Sequence, residues 1–183
     1  MQDTLPIHFA PLQGYTEAIY RNAHDAFFGG VDTYYTPFVR LEKGNFRRRD
    51  VRGIEPENNG VTYLIPQLIA SSAEKAEVIL SLFIEKGYQE LDINLGCPFP
   101  LLAKRHNGSG ILPYPEEVKA LLSIVTRYPQ ISFSVKMRLG WEQPDECLAL
   151  APILNDLPLR QITMHPRLGK QGYKGEVDLQ GFS

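Results

Sequence analysis

Cys97 follows a short strand-like run, Leu91-Asp92-Ile93-Asn94, with Leu95 and Gly96 before it and Pro98 behind it. Proline disfavours the α region for the residue that precedes it, so the thiol is expected in extended backbone on a loop. Loops carried on a rigid scaffold are where chemistry concentrates. A free cysteine is ordinarily a small buried hydrophobe, so the rest of the chain has to supply the case for reactivity. Other strand-like runs end in residues of the right kind: Pro11, Leu12 and Gln13 after the first, Gln67 in a later one, then Lys136 with Arg138, and His165 with Arg167. A thiol with the usual pKa of about 8.5 is mostly protonated at neutral pH and can yield its proton as charge develops nearby. That role differs from a nucleophilic cysteine, which needs a depressed pKa. Lys136 offers a compact positive charge for an anionic ring or a developing oxyanion. The two ring nitrogens of His165 are candidate donors to a carbonyl or a phosphate.

Alternating elements must hold these side chains. Strand-like runs fall at residues 7–10, 33–39, 61–69, 90–94, 132–137 and 161–164. Between them, Thr16 is placed to cap a helix reaching Phe28 and closing at Gly29-Gly30. Ser71 with Glu74 has capping-box spacing ahead of a helix that closes at Gly87. Pro115, Glu116 and Glu117 open a helix with Val118, Leu121, Leu122 and Val125 on one face. A weaker helix spans 145–155 with Pro152 inside it. Strands begin about 30 residues apart, the spacing of successive βα units in a parallel sheet. An open doubly wound sheet would carry a G-x-G-x-x-G fingerprint after its first strand, and Ala10-Pro11-Leu12-Gln13-Gly14-Tyr15 is not one. A (β/α)8 TIM barrel instead predicts functional residues at several strand C-termini, meeting at one mouth. The residues above fit that prediction. The chain shows six such strands in its 183 residues, whereas a barrel of this kind has eight in about 250. The expectation is therefore an incomplete barrel or a piece of a longer one. An open sheet of this size would expose edge strands and an apolar interior.

Composition narrows the function classes. The formal charge of −2 gives no global sign of nucleic-acid binding, and Cys97 and Cys147 have neither metal-type spacing nor a disulfide pattern. No signal-like leader or membrane-length apolar run is visible, so a soluble cytoplasmic protein is expected, with no metal and no membrane partner. The basic run over 40–52 reads first as a solvated charge stretch. Set at the mouth beside Lys104, Arg105, His106, Arg167, Lys170 and Lys174, it would offer a local rim for phosphates.

Taken together, APLQGYTEAIYR, PQLIAS, DINLGCPFPLLAKRHNGSGILPYPEEV, SVKMRLGW and MHPRLGKQGYKGEVDL resemble the tRNA-dihydrouridine synthase family, in its order and over essentially the whole chain. The resemblance implies a flavoprotein oxidoreductase of tRNA processing: a TIM barrel binding FMN, reduced by NADPH or NADH, followed by a helical RNA-binding domain. It implies FMN contacts from Pro11, Leu12, Gln13, Gln67, Lys136 and His165, with Asn94 holding the base or the flavin. Cys97 would be the proton donor, with Arg138, Arg167, Lys104 and Arg105 facing the tRNA. The chain departs from the family pattern at Gln13, where many members carry a smaller or acidic residue, and at Leu168-Gly169, where Thr and a polar residue are expected. It also shows no counterpart of the last two βα units, which carry the family's flavin-phosphate loops, or of the helical domain. Residues 1–183 are thus expected to be an incomplete catalytic domain with weak FMN retention, open to completion by a second chain. Two other readings stay open: an FMN barrel dehydrogenase acting on a small pyrimidine, and an inactive truncated module.

Overall fold

A computed structural model describes residues 5–183 of the chain. Its strands are parallel where the sequence reading expects βα units. β1 (His8–Phe9) pairs with β2 (Thr33–Tyr35), and β2 pairs with β5 (Leu64–Ile65). A four-stranded parallel sheet follows in chain order: β6 (Gln67–Leu68), β7 (Glu90–Leu95), β8 (Ser132–Gly140) and β9 (Leu159–Leu168). The strand expected over 61–69 is broken at Pro66, which has no N–H for a ladder. Its first half serves the first sheet and its second half the other, and a Val39–Leu68 bridge joins the two. The remaining strands, β3 (Leu41–Glu42) and β4 (Asn45–Phe46), form a hairpin after β2 whose turn, Lys43-Gly44, has φ of 52° and 81°.

The strands do not close into a cylinder: among the described residues β1 pairs only with β2, and β9 only with β8. The sheets nevertheless curve. Arg160 at the start of β9 lies 3.2 Å from the Glu90 carboxylate and donates to the Tyr35 hydroxyl at 3.3 Å, while Tyr63 bonds Glu90. These side chains cross the concave face near the strand N-termini.

Alternation along β7 and β8 divides the two faces. Leu91, Ile93, Leu95, Phe133, Val135, Met137 and Leu139 are buried beneath α3 (Ala73–Glu85), α5 (Pro115–Arg127) and α6 (Glu146–Asn155). The opposite face carries Asp92, Asn94, Ser134, Lys136 and Arg138. The concave face is polar, and this corrects the apolar interior expected of an open sheet. Stability comes from the helix-covered face, where Val118, Leu121, Leu122 and Val125 are fully buried and each contributes roughly 1.5–3 kcal/mol.

Helix boundaries follow local chemistry. α1 (Ala18–Phe27) ends at Gly29 and Gly30, both with positive φ, and α3 ends before Gly87, again with positive φ. Two expected caps shift. The cap of α3 is Ser72, which accepts from the Lys75 N–H at 3.5 Å, so the capping residue lies one place after Ser71. Thr16 caps nothing: its hydroxyl accepts from the Leu12 N–H at 2.9 Å and folds the first βα loop onto itself. α2 (Arg48–Ile54) forms within the basic run, whose Arg40 and Arg47 each lie 3.7 Å from Glu42. α4 (Pro100–Ala103) follows the Cys97 loop, and α7 (Leu179–Phe182) comes last. Among the described residues no helix is long and apolar enough to cross a membrane.

Candidate functional site

Cys97 is held from both sides of its peptide. Asn94 turns its Oδ1 back to accept the N–H groups of Gly96 and Cys97, at 3.0 and 2.8 Å. On the other side the Cys97 carbonyl accepts from the Ser109 N–H and the Ser109 hydroxyl, each at 3.0 Å. Gly108 packs so closely that a Cβ there would lie 2.5 Å from the Cys97 oxygen and 2.8 Å from its Cβ, and its φ is +60°. The downstream Gly-Ser-Gly is thus the second half of the cysteine loop. Gly110 is equally constrained, with the Ala103 backbone where its Cβ would be.

The thiol is half-buried on the seam of two depressions. The inner one, about 500 Å³, is lined by all seven expected cofactor residues: Pro11, Leu12, Gln13, Gln67, Asn94, Lys136 and His165. The outer cleft, about 860 Å³, is lined by Tyr15, Phe99, Trp141 and Tyr173 with Arg40, Arg47, Lys170 and Lys174. Leu12, Gln13, Phe38, Cys97 and Tyr173 border both. Phe38 and Tyr173 are site residues that sequence reasoning missed. Phe38 follows a proline at the end of a strand run, the same signal that marks Pro11. Tyr173 lies in a glycine-rich loop and carries no comparable signal.

Burial at the seam penalises the charged form of each titratable group. Burial pushes the Cys97 thiol above its ordinary value, and a hydrogen bond at Phe99 and the charge of Arg138 only partly oppose it. Burial lowers Lys136, with Asp92 pulling back up and Arg138 adding to the lowering. His165 is lowered to about 4, first by burial and then by Arg138, Lys136 and Arg167. It is a neutral imidazole at physiological pH. Arg167 Nη1 lies 3.0 Å from His165 Nε2, and an arginine can only donate, so the ring proton sits on Nδ1. One ring nitrogen, not two, is left to donate.

The four residues expected to face RNA divide. Arg138 is 1% exposed, and its guanidinium donates to the carbonyls of Gly96, Leu168 and Gly172 at 2.9, 2.9 and 2.7 Å. Arg167 donates to Gly175 O from Nε and Nη2 besides bonding His165. Both bond the chain's own loops, Arg138 from a fully buried position and Arg167 from a half-buried one. They do so because β8 and β9 run on through Gly140 and Leu168, leaving Arg138 and Arg167 inside the strands rather than past their ends. Lys104 and Arg105 are exposed at the end of α4, and Lys104 borders a further depression that shares Trp141 with the outer cleft. Trp141 is a wall of the outer cleft and packs on Gly169, where a Cβ would lie 2.2 Å from the indole Cε3. The Leu168-Gly169 departure is therefore matched to the tryptophan beside it. Cys147 is buried in α6 as packing.

The model of the family described as dihydrouridine synthase matches residues 8–181. The chain is 28% identical over 178 residues to a probable tRNA-dihydrouridine synthase 1 from a Synechocystis species, covering 93% of this chain and 48% of that protein. It is 28% identical to a tRNA-dihydrouridine(16) synthase from Haemophilus ducreyi, covering 93% and 54%. The corresponding enzyme of Pseudomonas syringae is 31% identical, over 93% and 56%. The chain thus spans about half the length of these curated relatives.

Proposed function

The chain belongs to the dihydrouridine synthase family, and on that premise we propose that it carries the flavin-dependent reduction of uridine to 5,6-dihydrouridine in cytoplasmic tRNA. The observation that carries this reading is the position of Cys97, bordering at once a polar inner depression and an aromatic, cationic outer cleft.

The inner depression fits FMN in its donor set. Lys136 forms none of the ion pairs found among the described residues, so its ammonium is available to an anionic ring or phosphate. His165 has one N–H to give to a carbonyl oxygen, and Gln67 supplies an amide whose orientation is fixed by its neighbours. When bound, reduced FMN would supply the hydride to one carbon of the uracil double bond, with NADPH or NADH restoring it. The protein supplies placement and the acid. Lys136 balances negative charge developing on the pyrimidine. The raised Cys97 thiol stays protonated and delivers its proton to the other carbon, and Arg138 nearby eases the charge left on sulfur.

The outer cleft suits a uridine drawn out of its stack. Tyr15, Phe99, Trp141 and Tyr173 offer π faces, and Arg40, Arg47, Lys170 and Lys174 offer phosphate partners. Lys104 and Arg105 extend this rim along α4.

The test is reconstitution of the purified chain with FMN, NADPH and an unmodified tRNA transcript, with dihydrouridine read by mass spectrometry. Cys97→Ala should lower its formation by on the order of 10²–10⁴ while FMN binding is retained, the range for loss of a positioned general acid. Equal yields from both proteins would remove Cys97 from the mechanism. Reoxidation of the reduced flavin by free pyrimidines but not by tRNA would favour a small-molecule dehydrogenase.

A further inference from the structure

Asp92 is buried on the concave face, 2% exposed, and proton delivery by Cys97 makes no direct use of it. Both of its oxygens are engaged. Ser134 Oγ donates to Oδ1 at 2.6 Å, and Gln67 Nε2 donates to Oδ2 at 2.6 Å. Gln67 Oε1 in turn accepts from Asn94 Nδ2 at 2.8 Å, and Asn94 Oδ1 accepts the N–H groups of Gly96 and Cys97.

The direction of this series is set at its loop end. Backbone N–H groups only donate, so Asn94 must turn its oxygen to the loop and its NH2 to Gln67. Gln67 must then give its carbonyl to Asn94, which leaves only its NH2 for Asp92. Asp92 is the acceptor that closes the series, and no link can reverse without orphaning a buried group.

We propose that Asp92 is a positioning residue: through Gln67 and Asn94 it anchors the backbone at Gly96-Cys97 and so sets where the thiol stands between the two depressions. Its bearing on proton delivery rests on the dihydrouridine synthase reading; its hold on the loop does not. The anchor works through acceptor geometry rather than charge. Burial raises the Asp92 carboxyl while Gln67, Ser134 and Lys136 lower it. In either protonation state one oxygen remains for Gln67, because an acid O–H can turn to the Ser134 hydroxyl.

An isosteric amide should therefore preserve the series, and a truncation should break it. Asp92→Asn can offer Oδ1 to Gln67 and its NH2 to Ser134 Oγ. Asp92→Ala offers nothing. Amide hydrogen exchange on the purified chain reads the difference at Gly96 and Cys97, with the Val135 amide of the neighbouring strand as internal reference. In Asp92→Ala the Gly96 and Cys97 amides should exchange at least about tenfold faster relative to Val135, a factor that corresponds to about 1.4 kcal/mol of local opening. Asp92→Asn should stay within about twofold of the unaltered chain, under about 0.4 kcal/mol. Should Asp92→Ala fail to fold, Gln67→Leu breaks the next link and is read in the same way.

The proposal is overturned if the two loop amides keep step with Val135 in the truncated variant, or if Asp92→Asn loosens them as much as Asp92→Ala does. Dihydrouridine formation is measured in parallel. Selective loosening in a chain whose unaltered form makes no dihydrouridine would refute the enzymatic reading and leave the anchor standing. An active unaltered chain with an unmoved loop in Asp92→Ala would do the reverse.

Discussion

Replacing Gly108 with alanine perturbs Cys97 without touching it. Gly108 has φ +60°, a conformation that costs an L side chain roughly 1–2 kcal/mol. Its added Cβ would also stand 2.5, 2.8 and 2.9 Å from the oxygen, Cβ and nitrogen of Cys97, none of them the tip of a flexible side chain. The loop must move, and overpacking of that kind costs about 1–3 kcal/mol. Together the substitution should destabilise the chain by about 2–5 kcal/mol. Gly87→Ala is the control, because Gly87 has φ +85° with nothing within 4 Å of its Cβ position and should incur only the first cost. Urea unfolding with unchanged m-values gives the two losses directly. The rate of Cys97 alkylation should change in Gly108→Ala and stay constant in Gly87→Ala. If the two variants lose the same stability to within about 0.5 kcal/mol, the usual scatter between independent sites, Gly108 does not press on the cysteine loop and the two-sided clamp is wrong.

His165, with an ordinary value of 6.5 and a folded value of about 4, binds its proton more readily in the unfolded chain. Its contribution to stability is complete above pH 6.5 and is lost as the pH falls from there toward 4; an NMR titration midpoint near 6 or above would refute this. Arg138→Met should cost about 3 kcal/mol or more in urea unfolding, because three carbonyls lose their donor, and Arg138→Lys should restore less than half of that. A loss below about 1 kcal/mol would show that the brace is dispensable. Replacing Lys104 and Arg105 together with alanine should flatten the salt dependence of tRNA binding by about 0.7–0.9 per lost phosphate contact and leave FMN content unchanged. An unchanged slope would take α4 off the RNA path.

The strand-end residues were legible because a period of two, broken by proline and glycine, is written plainly in the chain. Runs such as Glu90 to Asn94 became strands almost as spaced, and Pro115 and Gly87 stand where they were expected to start and stop helices. The role of Gly-Ser-Gly was harder to see, since a close backbone approach leaves no trace except the absence of side chains. Arg138 was hard to place for a different reason. An arginine just beyond an apolar strand run looks solvent-facing, but β8 runs on to Gly140, and the buried guanidinium found three carbonyls to donate to. Asp92 could have been found: Glu90, Asp92 and Asn94 alternate with Leu91, Ile93 and Leu95, and three polar residues on the hidden side of a strand call for partners.

The curved sheets keep what folds them and what reacts on them on opposite surfaces. Oily side chains lie under the helices, while the hollow side is furnished with amides, hydroxyls and charges. Some of that furniture also holds the loops: Arg138 and the Asp92 series tie down the backbone around Cys97. The groups open to exchange are those outside these ties, such as Lys136, which enters none of the ion pairs found among the described residues, so an engineer rewriting the hollow would begin there.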